Sequence, residues 1–144
     1  MPDPIWTAEE IAADLARSPF NAALELVIER YDPSAGELVV RAPFRPEYER
    51  MAGSKQWHGG PIASIIDTVG AYVAAAAVAR TIPTIDLRID YLRPAIDTDL
   101  LVTSKIRRLG RSVAVVDIDV ANGKGALVAC GRGVYSTAAP TEAK

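Results

Sequence analysis

Asp67 is the acidic residue whose surroundings most clearly suggest chemistry. It lies in an apolar run, and if that run is helical its neighbours one or two turns away on the same face are all small: Ala63, Gly70, Ala71 and Ala74. A carboxylate in such a seam is desolvated, which disfavours its charged form, and a functional role for it needs a substrate pocket beside it. The alternative is a structural carboxylate that accepts hydrogen bonds from a loop or pairs with an arginine of a partner chain.

Two glycines precede the predicted helix that carries Asp67. Gly59 and Gly60 follow His58 and come directly before Pro61, which suits the first position of a helix. Backbone N–H groups there can approach a ligand oxygen, and the helix dipole favours developing negative charge. The pair predicts half of an oxyanion hole, although glycines also simply permit a sharp turn. Asp67 lies about 10 Å further along the helix than Gly60, so a substrate arriving from a partner chain can touch both.

His58 is the only histidine of the chain, and Cys130 is the only cysteine. The ordinary role of a lone histidine is a loop or capping residue, and the alternative is a general base. One residue of each type excludes a disulfide framework and a zinc site built from histidine and cysteine. The sequence has no G-x-S-x-G motif, so a serine hydrolase is disfavoured.

A second candidate site is a basic cluster around Gly110. Its members are Lys105, Arg107, Arg108 and Arg111, with Ser112 beside them. Residues 104–136 hold six basic and two acidic residues, whereas the first fifty residues hold five basic and ten acidic. Guanidinium and backbone N–H groups in a hairpin of this kind bind phosphates, although a solvated strand end has the same composition. The net charge of -2 and the 6% aromatic content argue against a nucleic-acid partner.

The elements that must position these residues form one domain, because 144 residues leave little room for two. A capping box at Thr7 predicts a short helix that stops at Ser18. Two strands over 24–31 and 37–42 and an irregular segment then precede a long helix over 61–79. In that helix one stripe is apolar: Ile62, Ile65, Ile66, Val69 and Val73.

After the long helix the hydrophobic period changes to two. Apolar and polar residues alternate from Thr84 to Tyr91, which predicts a strand with one buried face. The apolar residues are Ile85, Leu87, Ile89 and Tyr91, and the polar residues are Thr84, Asp86, Arg88 and Asp90. Three more strands are predicted over 100–109, 113–121 and 126–136. Strands interrupted by one helix indicate an α+β fold, with a mainly antiparallel sheet wrapped around a long central helix.

The long helix has no charged face, which is typical of a helix buried on all sides. Asp67 near its middle makes a membrane span unlikely, and the N-terminus lacks the pattern of a secretory signal, so we expect a cytoplasmic protein without a membrane partner. A free sheet edge and the small-residue stripe of the helix need cover. A second copy related by a two-fold axis supplies it, and we predict a homodimer.

Three segments of the chain resemble the hotdog-fold acyl-CoA thioesterases of the phenylacetate-degradation (PaaI-like) family. They are His58-Gly59-Gly60 followed by Asp67, the strand from Thr84 to Ala95, and the run from Arg107 to Asp117. The resemblance covers roughly residues 20–137 of a single domain spanning 1–144. It implies an acyl-CoA substrate, a dimer that often pairs again into a tetramer, and a thioester pocket at the subunit interface, with no metal or prosthetic group.

The resemblance also implies roles for individual residues. Asp67 would be the general base or nucleophile, the Gly60 N–H would polarise the thioester carbonyl, and Thr84 would orient water or the carboxylate. His58 would shape the entry to the site, with Gly59 beside the substrate. The coenzyme A arm would lie along Arg108, Gly110, Arg111 and Ser112.

One departure from the family concerns the loop before His58. Many relatives carry an asparagine about six residues earlier, where this chain has Ala52. If that amide positions the substrate, either turnover is low here or Gln56 acts from another place on the loop. Three large side chains of the same loop are candidates to line the acyl pocket or to anchor the loop: Tyr48, Met51 and Trp57.

Two other functions remain open at the level of sequence. A non-catalytic dimer that binds or senses acyl-CoA would use the same pocket. A hotdog dehydratase ranks last, because it would need an aspartate and a histidine facing one substrate, and here His58 precedes the helix that buries Asp67.

Overall fold

The computed structural model describes residues 5–141, so residues 1–4 and 142–144 of the predicted domain lie outside the described part. The helices are α1 (Ala8–Arg17), α2 (Pro19–Ala23) and α3 (Gly59–Val78), and a 3-10 turn covers Pro46–Tyr48. The strands are β1 (Val27–Asp32), β2 (Glu37–Ala42), β3 (Thr84–Tyr91), β4 (Leu100–Leu109), β5 (Val113–Asn122) and β6 (Leu127–Ser136).

The six strands form one antiparallel sheet in the order β1-β2-β4-β5-β6-β3. α3 packs across it, mainly against β4, β5 and β6. The apolar stripe predicted for this helix is buried throughout: Ile62, Ile65, Ile66, Val69 and Val73. The predicted α+β architecture, with a sheet around one long helix, is confirmed.

The N-terminal region is more helical than predicted. Thr7 and Glu10 form the predicted capping box of α1. α1 ends at Ser18 as predicted, since the Ser18 backbone is extended, but Ser18 also caps a second helix and Pro19 occupies its first turn. α2 ends near Leu24, so β1 begins at Val27, three residues later than the predicted start of the strand.

α3 begins at Gly59, two residues before the predicted start at Pro61. His58 is its N-cap, and its Nδ1 accepts the N–H of Gly60, so both glycines belong to the first turn. The helix ends at Ala79, which adopts a left-handed conformation. α3 is long and apolar enough to span a membrane by composition, but it is the core helix of this fold, as predicted.

Helix and sheet approach closely beside Asp67. The Tyr135 side chain from β6 is fully buried and lies across Gly133 of the same strand, where a Cβ atom would meet the tyrosine oxygen at 2.2 Å. A Cβ atom on Gly70 of α3 would meet the same oxygen at 2.4 Å. The Tyr135 hydroxyl donates a hydrogen bond to the main-chain carbonyl of Asp67 at 3.2 Å. Both glycines therefore make room for one aromatic side chain that fixes this part of α3 against the sheet.

β3 contains a bulge that strict alternation did not predict. Thr84 pairs with Tyr135 and Asp86 pairs with Val134, so Ile85 has no partner in the ladder. Residues directly opposite each other share a face, and Thr84 therefore points to the helix side with Tyr135 while Ile85 is 57% exposed. The predicted grouping of Thr84 with Asp86 on the outer face is wrong, because the extra residue shifts the alternation by one.

The far side of β3 is a free edge. The strand pairs only with β6 and is the last strand of the sheet. Large apolar side chains on and just after it are about half exposed: Ile85 57%, Tyr91 54%, Leu92 50% and Ile96 56%. Within one chain the predicted buried face of this strand is therefore only partly covered.

Candidate active site

The Asp67 carboxylate is held by one side chain. The Thr84 hydroxyl donates to its Oδ1 at 2.8 Å, a contact that depends on the bulge in β3. No lysine or arginine within residues 5–141 forms an ion pair with Asp67, which is half-buried. One carboxylate oxygen is therefore oriented while the other is free of partners in this part of the chain.

Asp67 faces a pocket of about 570 Å³. α3, the segment after it and the N-terminal helices form the walls, with Ala71 next to Asp67 and Thr84 opposite. The predicted seam of small residues is close-packed on one side only: Gly70 and Ala74 are buried, whereas Ala71 opens onto the pocket. The pocket has the size of an ordinary small-molecule site.

A polar network that sequence reasoning missed also lines this pocket. The Tyr72 hydroxyl donates to Asp14 Oδ2 at 2.8 Å and accepts from Asn21 Nδ2 at 3.4 Å. Thr68 Oγ1 is 3.5 Å from Asn21 Oδ1. Burial, together with the Asp14 carboxylate, raises the pKa of Tyr72 to about 12, so the phenol stays protonated at neutral pH. Thr68 and Tyr72 are one helical turn apart, and that spacing was the only local signal for the network.

The start of α3 presents two backbone N–H groups, because Pro61 has none. The Gly60 N–H, assigned to the thioester carbonyl by the resemblance, is donated instead to His58 Nδ1 at 2.9 Å. The Gly59 N–H makes no hydrogen bond within residues 5–141. The Tyr91 hydroxyl donates to the Gly59 carbonyl at 2.7 Å. His58 is thus a capping residue, and Gly59 carries the free donor.

Gln56, Gly59 and Tyr91 line a second pocket of about 430 Å³. Gln56 forms a backbone bridge to Ile96 and lines this pocket together with Gly59 of the first turn of α3. We call Asp67 with Thr84 the acid half-site, and Gly59 with Gln56 the amide half-site. The eight residues from Gly59 to Asp67 separate the two half-sites by about 12 Å along the helix axis.

Of the three large side chains in the loop before His58, two pack against the rest of the fold and one is exposed to solvent. Trp57 is buried, donates from its indole nitrogen to the Thr98 carbonyl at 2.8 Å, and packs between Phe44 and Tyr48. Trp57 also borders the second pocket, whereas Met51 is 70% exposed. Trp57 and Tyr48 therefore anchor the loop.

The basic cluster lies at the tip of the β4–β5 hairpin. Arg107 is neutralised by Asp117 at 3.3 Å, whereas Arg108 and Arg111 form no ion pair within residues 5–141. The Gly110 N–H is donated to the Val113 carbonyl at 2.9 Å, so it is engaged within the hairpin. Within the described residues the guanidinium groups of Arg108 and Arg111 therefore have no acidic partner, whereas the Gly110 N–H is already engaged.

The hairpin and the acid half-site lie at the same end of the sheet. The Ser112 carbonyl accepts the N–H of Thr137, and the Ser136 N–H is donated to the Pro83 carbonyl, next to Thr84. Gly110 and Arg111 border a third pocket of about 540 Å³. No group of three or more metal-ligating side chains occurs among the described residues.

The chain is similar to known proteins in sequence and in fold. The family model of the thioesterase superfamily matches residues 55–129. The medium/long-chain acyl-CoA thioesterase YigI of Salmonella typhimurium is 33% identical over 119 residues, covering 72% of this chain and 76% of that protein. A Shewanella oneidensis structure related to the thioesterase superfamily has a TM-score of 0.79 at 30% identity, over 90% of this chain and 94% of that one. The Escherichia coli PaaI protein of the phenylacetic acid degradation operon has a TM-score of 0.79 at 26% identity, over 92% of this chain and 94% of that one.

Proposed function

The chain belongs to the thioesterase superfamily, and we propose that it hydrolyses an acyl-CoA thioester to the free acid and coenzyme A in the cytoplasm. The names of its relatives support this substrate class. The observation that carries the proposal is the Asp67 carboxylate, which Thr84 orients in the wall of a pocket of about 570 Å³. Neither a metal ion nor a prosthetic group takes part in the proposed reaction.

Asp67 supplies the attacking group. Thr84 holds Oδ1, so Oδ2 either takes a proton from an attacking water molecule or attacks the thioester carbon itself. The thiolate of coenzyme A is a good leaving group, and the main remaining need is stabilisation of negative charge on the carbonyl oxygen.

The Gly59 N–H stabilises that charge. It lies in the first turn of α3, where the helix dipole favours an anion, and its hydrogen is free, whereas the Gly60 N–H is engaged by His58. The assignment of the carbonyl to Gly60 therefore moves to Gly59. Gln56, at the wall of the same pocket, takes the positioning role left open by Ala52.

One active site needs two chains, since a single chain holds its half-sites about 12 Å apart along α3. The free edge of β3 carries Thr84 at one end and Tyr91, which contacts Gly59, at the other. A two-fold axis through the middle of an antiparallel β3–β3 pair sets Thr84 of one chain beside Tyr91 of the other. The acid half-site then meets the amide half-site of the second chain, and the half-exposed apolar side chains of this edge are covered. The tetramer implied by the resemblance would pair two such dimers.

The coenzyme A arm runs along the β4–β5 hairpin. Arg108 and Arg111 have free guanidinium groups at the same end of the sheet as Thr84, so they bind the phosphates through side-chain forks. Ser112 adds a hydroxyl at the tip of the same hairpin.

Subunit mixing tests the shared site. Gly59→Pro removes the free N–H at a helix position that suits proline, and the extended backbone of His58 (ψ 147°) is compatible with a following proline. We expect Gly59→Pro and Asp67→Asn to be inactive alone. Random mixing makes half of the dimers mixed, each with one intact site, so activity should return to about one quarter of the wild-type level.

Gly59→Ala is the matched control. Its Cβ meets the Tyr91 ring at 3.2 Å, as the proline Cβ does, but it keeps the N–H. It should retain most of the wild-type activity. Failure of the mixed dimers to regain activity, although they form, would contradict a site shared between subunits.

The alternative is a dimer that binds acyl-CoA without hydrolysing it, and Ala52 in place of the family asparagine is the observation in its favour. A steady-state assay of thiol release across short, medium, long and aryl acyl-CoAs separates the two functions. Binding of these thioesters without release of any thiol would support the alternative.

A further inference from the structure

The wall of the pocket at Asp67 that α1, α2 and Tyr72 form is polar, which is unusual for a site that receives an acyl chain. The Tyr72 hydroxyl and the Asn21 amide lie there, on α3 and α2, together with Asp14 from α1. Asp67 and Tyr72 line this one pocket and are five residues apart on α3, an axial rise of about 7.5 Å.

The Asn21 amide has spare hydrogen-bonding capacity. Its contact to Tyr72 is 3.4 Å and its contact to Thr68 is 3.5 Å, whereas the Tyr72–Asp14 bond in the same network is 2.8 Å. A side-chain amide has two N–H donors and an acceptor oxygen, and both of its contacts here are long. A plain alkyl chain would remove water from this amide and give no partner in return.

The charge of Asp14 also determines which acyl groups this part of the pocket favours. The Asp14 side chain is 14% exposed, and its partner Arg17 is 82% exposed. The buried carboxylate repels a second carboxylate more than the solvated arginine attracts it. A neutral polar group fits the site better than an anionic one.

We propose that this pocket holds the acyl part of the substrate and that Asn21 and Tyr72 select acyl groups with a neutral hydroxyl or carbonyl oxygen about 7 Å beyond the thioester carbon. The inference rests on the proposed function and adds the acyl class to it. Asn21 and Tyr72 are specificity-determining residues, and α1 and α2 form the acyl-binding wall of the site.

Hydrolysis of three acyl-CoAs of matched length tests the inference: hexanoyl-CoA, ω-hydroxyhexanoyl-CoA and adipoyl-CoA. An extended six-carbon chain reaches the network, so wild type should show a kcat/KM about tenfold higher for the ω-hydroxy substrate than for hexanoyl-CoA. Adipoyl-CoA, which ends in a carboxylate, should be hydrolysed no better than hexanoyl-CoA.

The variants Asn21→Ala and Tyr72→Phe test whether these two side chains cause the preference for ω-hydroxyhexanoyl-CoA over hexanoyl-CoA. Each should bring the kcat/KM values for hexanoyl-CoA and ω-hydroxyhexanoyl-CoA within about twofold of each other. Thr103→Ala is a control that removes a hydroxyl from the sheet face opposite α3, and it should keep the full preference. Circular dichroism melting confirms that each variant is folded.

The outcomes separate the inference from the proposed function. Release of no thiol from any acyl-CoA overturns both. Hydrolysis with equal kcat/KM for hexanoyl-CoA and its ω-hydroxy analogue overturns the inference and keeps the proposed function. A preference that survives in both folded variants also overturns it, since the selecting group then lies elsewhere.

Discussion

Replacement of Asp67 by asparagine isolates the charge of the proposed base. The two side chains have the same shape, and an asparagine oxygen can still accept the hydrogen bond from Thr84 that spans 2.8 Å in wild type. Asp67 forms no ion pair within residues 5–141, so no cation is left without its partner. We therefore expect a change in the free energy of unfolding of less than about 1 kcal/mol.

The expected loss of activity is large. A positioned general base contributes about 10²- to 10⁴-fold, which corresponds to about 3 to 5 kcal/mol of activation free energy. Among residues 5–141 the one other carboxylate at this pocket is that of Asp14, and it is engaged by Tyr72 and Arg17. It therefore cannot replace Asp67 as the base, so kcat should fall at least about a hundredfold. KM should change little, because the pocket keeps its shape.

The assay is steady-state thiol release from the best acyl-CoA, with the dimer checked by mass photometry. Asp86→Asn is the matched control, since this exposed carboxylate lies two residues after Thr84 on the outer face of β3. It should keep wild-type kcat.

Thr84→Val adds a double-mutant cycle. Alone it should lower kcat about tenfold through loss of one hydrogen bond to a charged group, and combined with Asp67→Asn it should cost almost nothing more. Undiminished turnover in Asp67→Asn would remove this residue from the mechanism.

Four further predictions concern stability and assembly. Tyr135→Phe should lower the free energy of unfolding by about 0.5–1.5 kcal/mol through loss of the bond to the Asp67 carbonyl, measured by urea denaturation. Gly133→Ala should cost about 1–3 kcal/mol in the same measurement, because its Cβ would lie 2.2 Å from the Tyr135 oxygen; an unchanged midpoint would contradict the packing argument. The pKa of Tyr72 rises from 10.0 to about 12 on folding, so its contribution is complete below pH 10 and lost as the pH rises towards 12; the stability gap between wild type and Tyr72→Phe should narrow over that window. Ile85→Glu at the free edge of β3 should yield monomers by mass photometry and inactivate the enzyme, whereas dimers that persist would argue against pairing through this edge.

Most of the fold could be predicted from local patterns. The stripe from Ile62 to Val73 repeats with the helical period, and hydrophobic burial follows such a stripe wherever the helix lies. The strands of the second half alternate with period two and are separated by turn residues. The errors fell at the boundaries of elements, such as the helix α2 after Ser18 and the start of α3 at Gly59, where caps decide the end of a helix.

The acid and the glycines of the site were also predictable, because a carboxylate in an apolar helix and two glycines at its start are unusual in themselves. Their exact partners were not. Gly60 donates its N–H to His58, which transfers the proposed carbonyl contact to Gly59. That choice depends on the torsion angles of a single N-cap residue, which the residue type alone does not determine.

The sequence by itself determined which residues can do chemistry and which elements carry them, since residue type and hydrophobic period act over one or two turns of chain. The tertiary structure decided which of them meet. A one-residue bulge in β3 turned Thr84 towards Asp67, and helix packing joined Asn21 to Tyr72, which are 51 residues apart. The physical reason is that strand register and helix docking are set by the packing of the whole core, and spacing along the chain does not encode them.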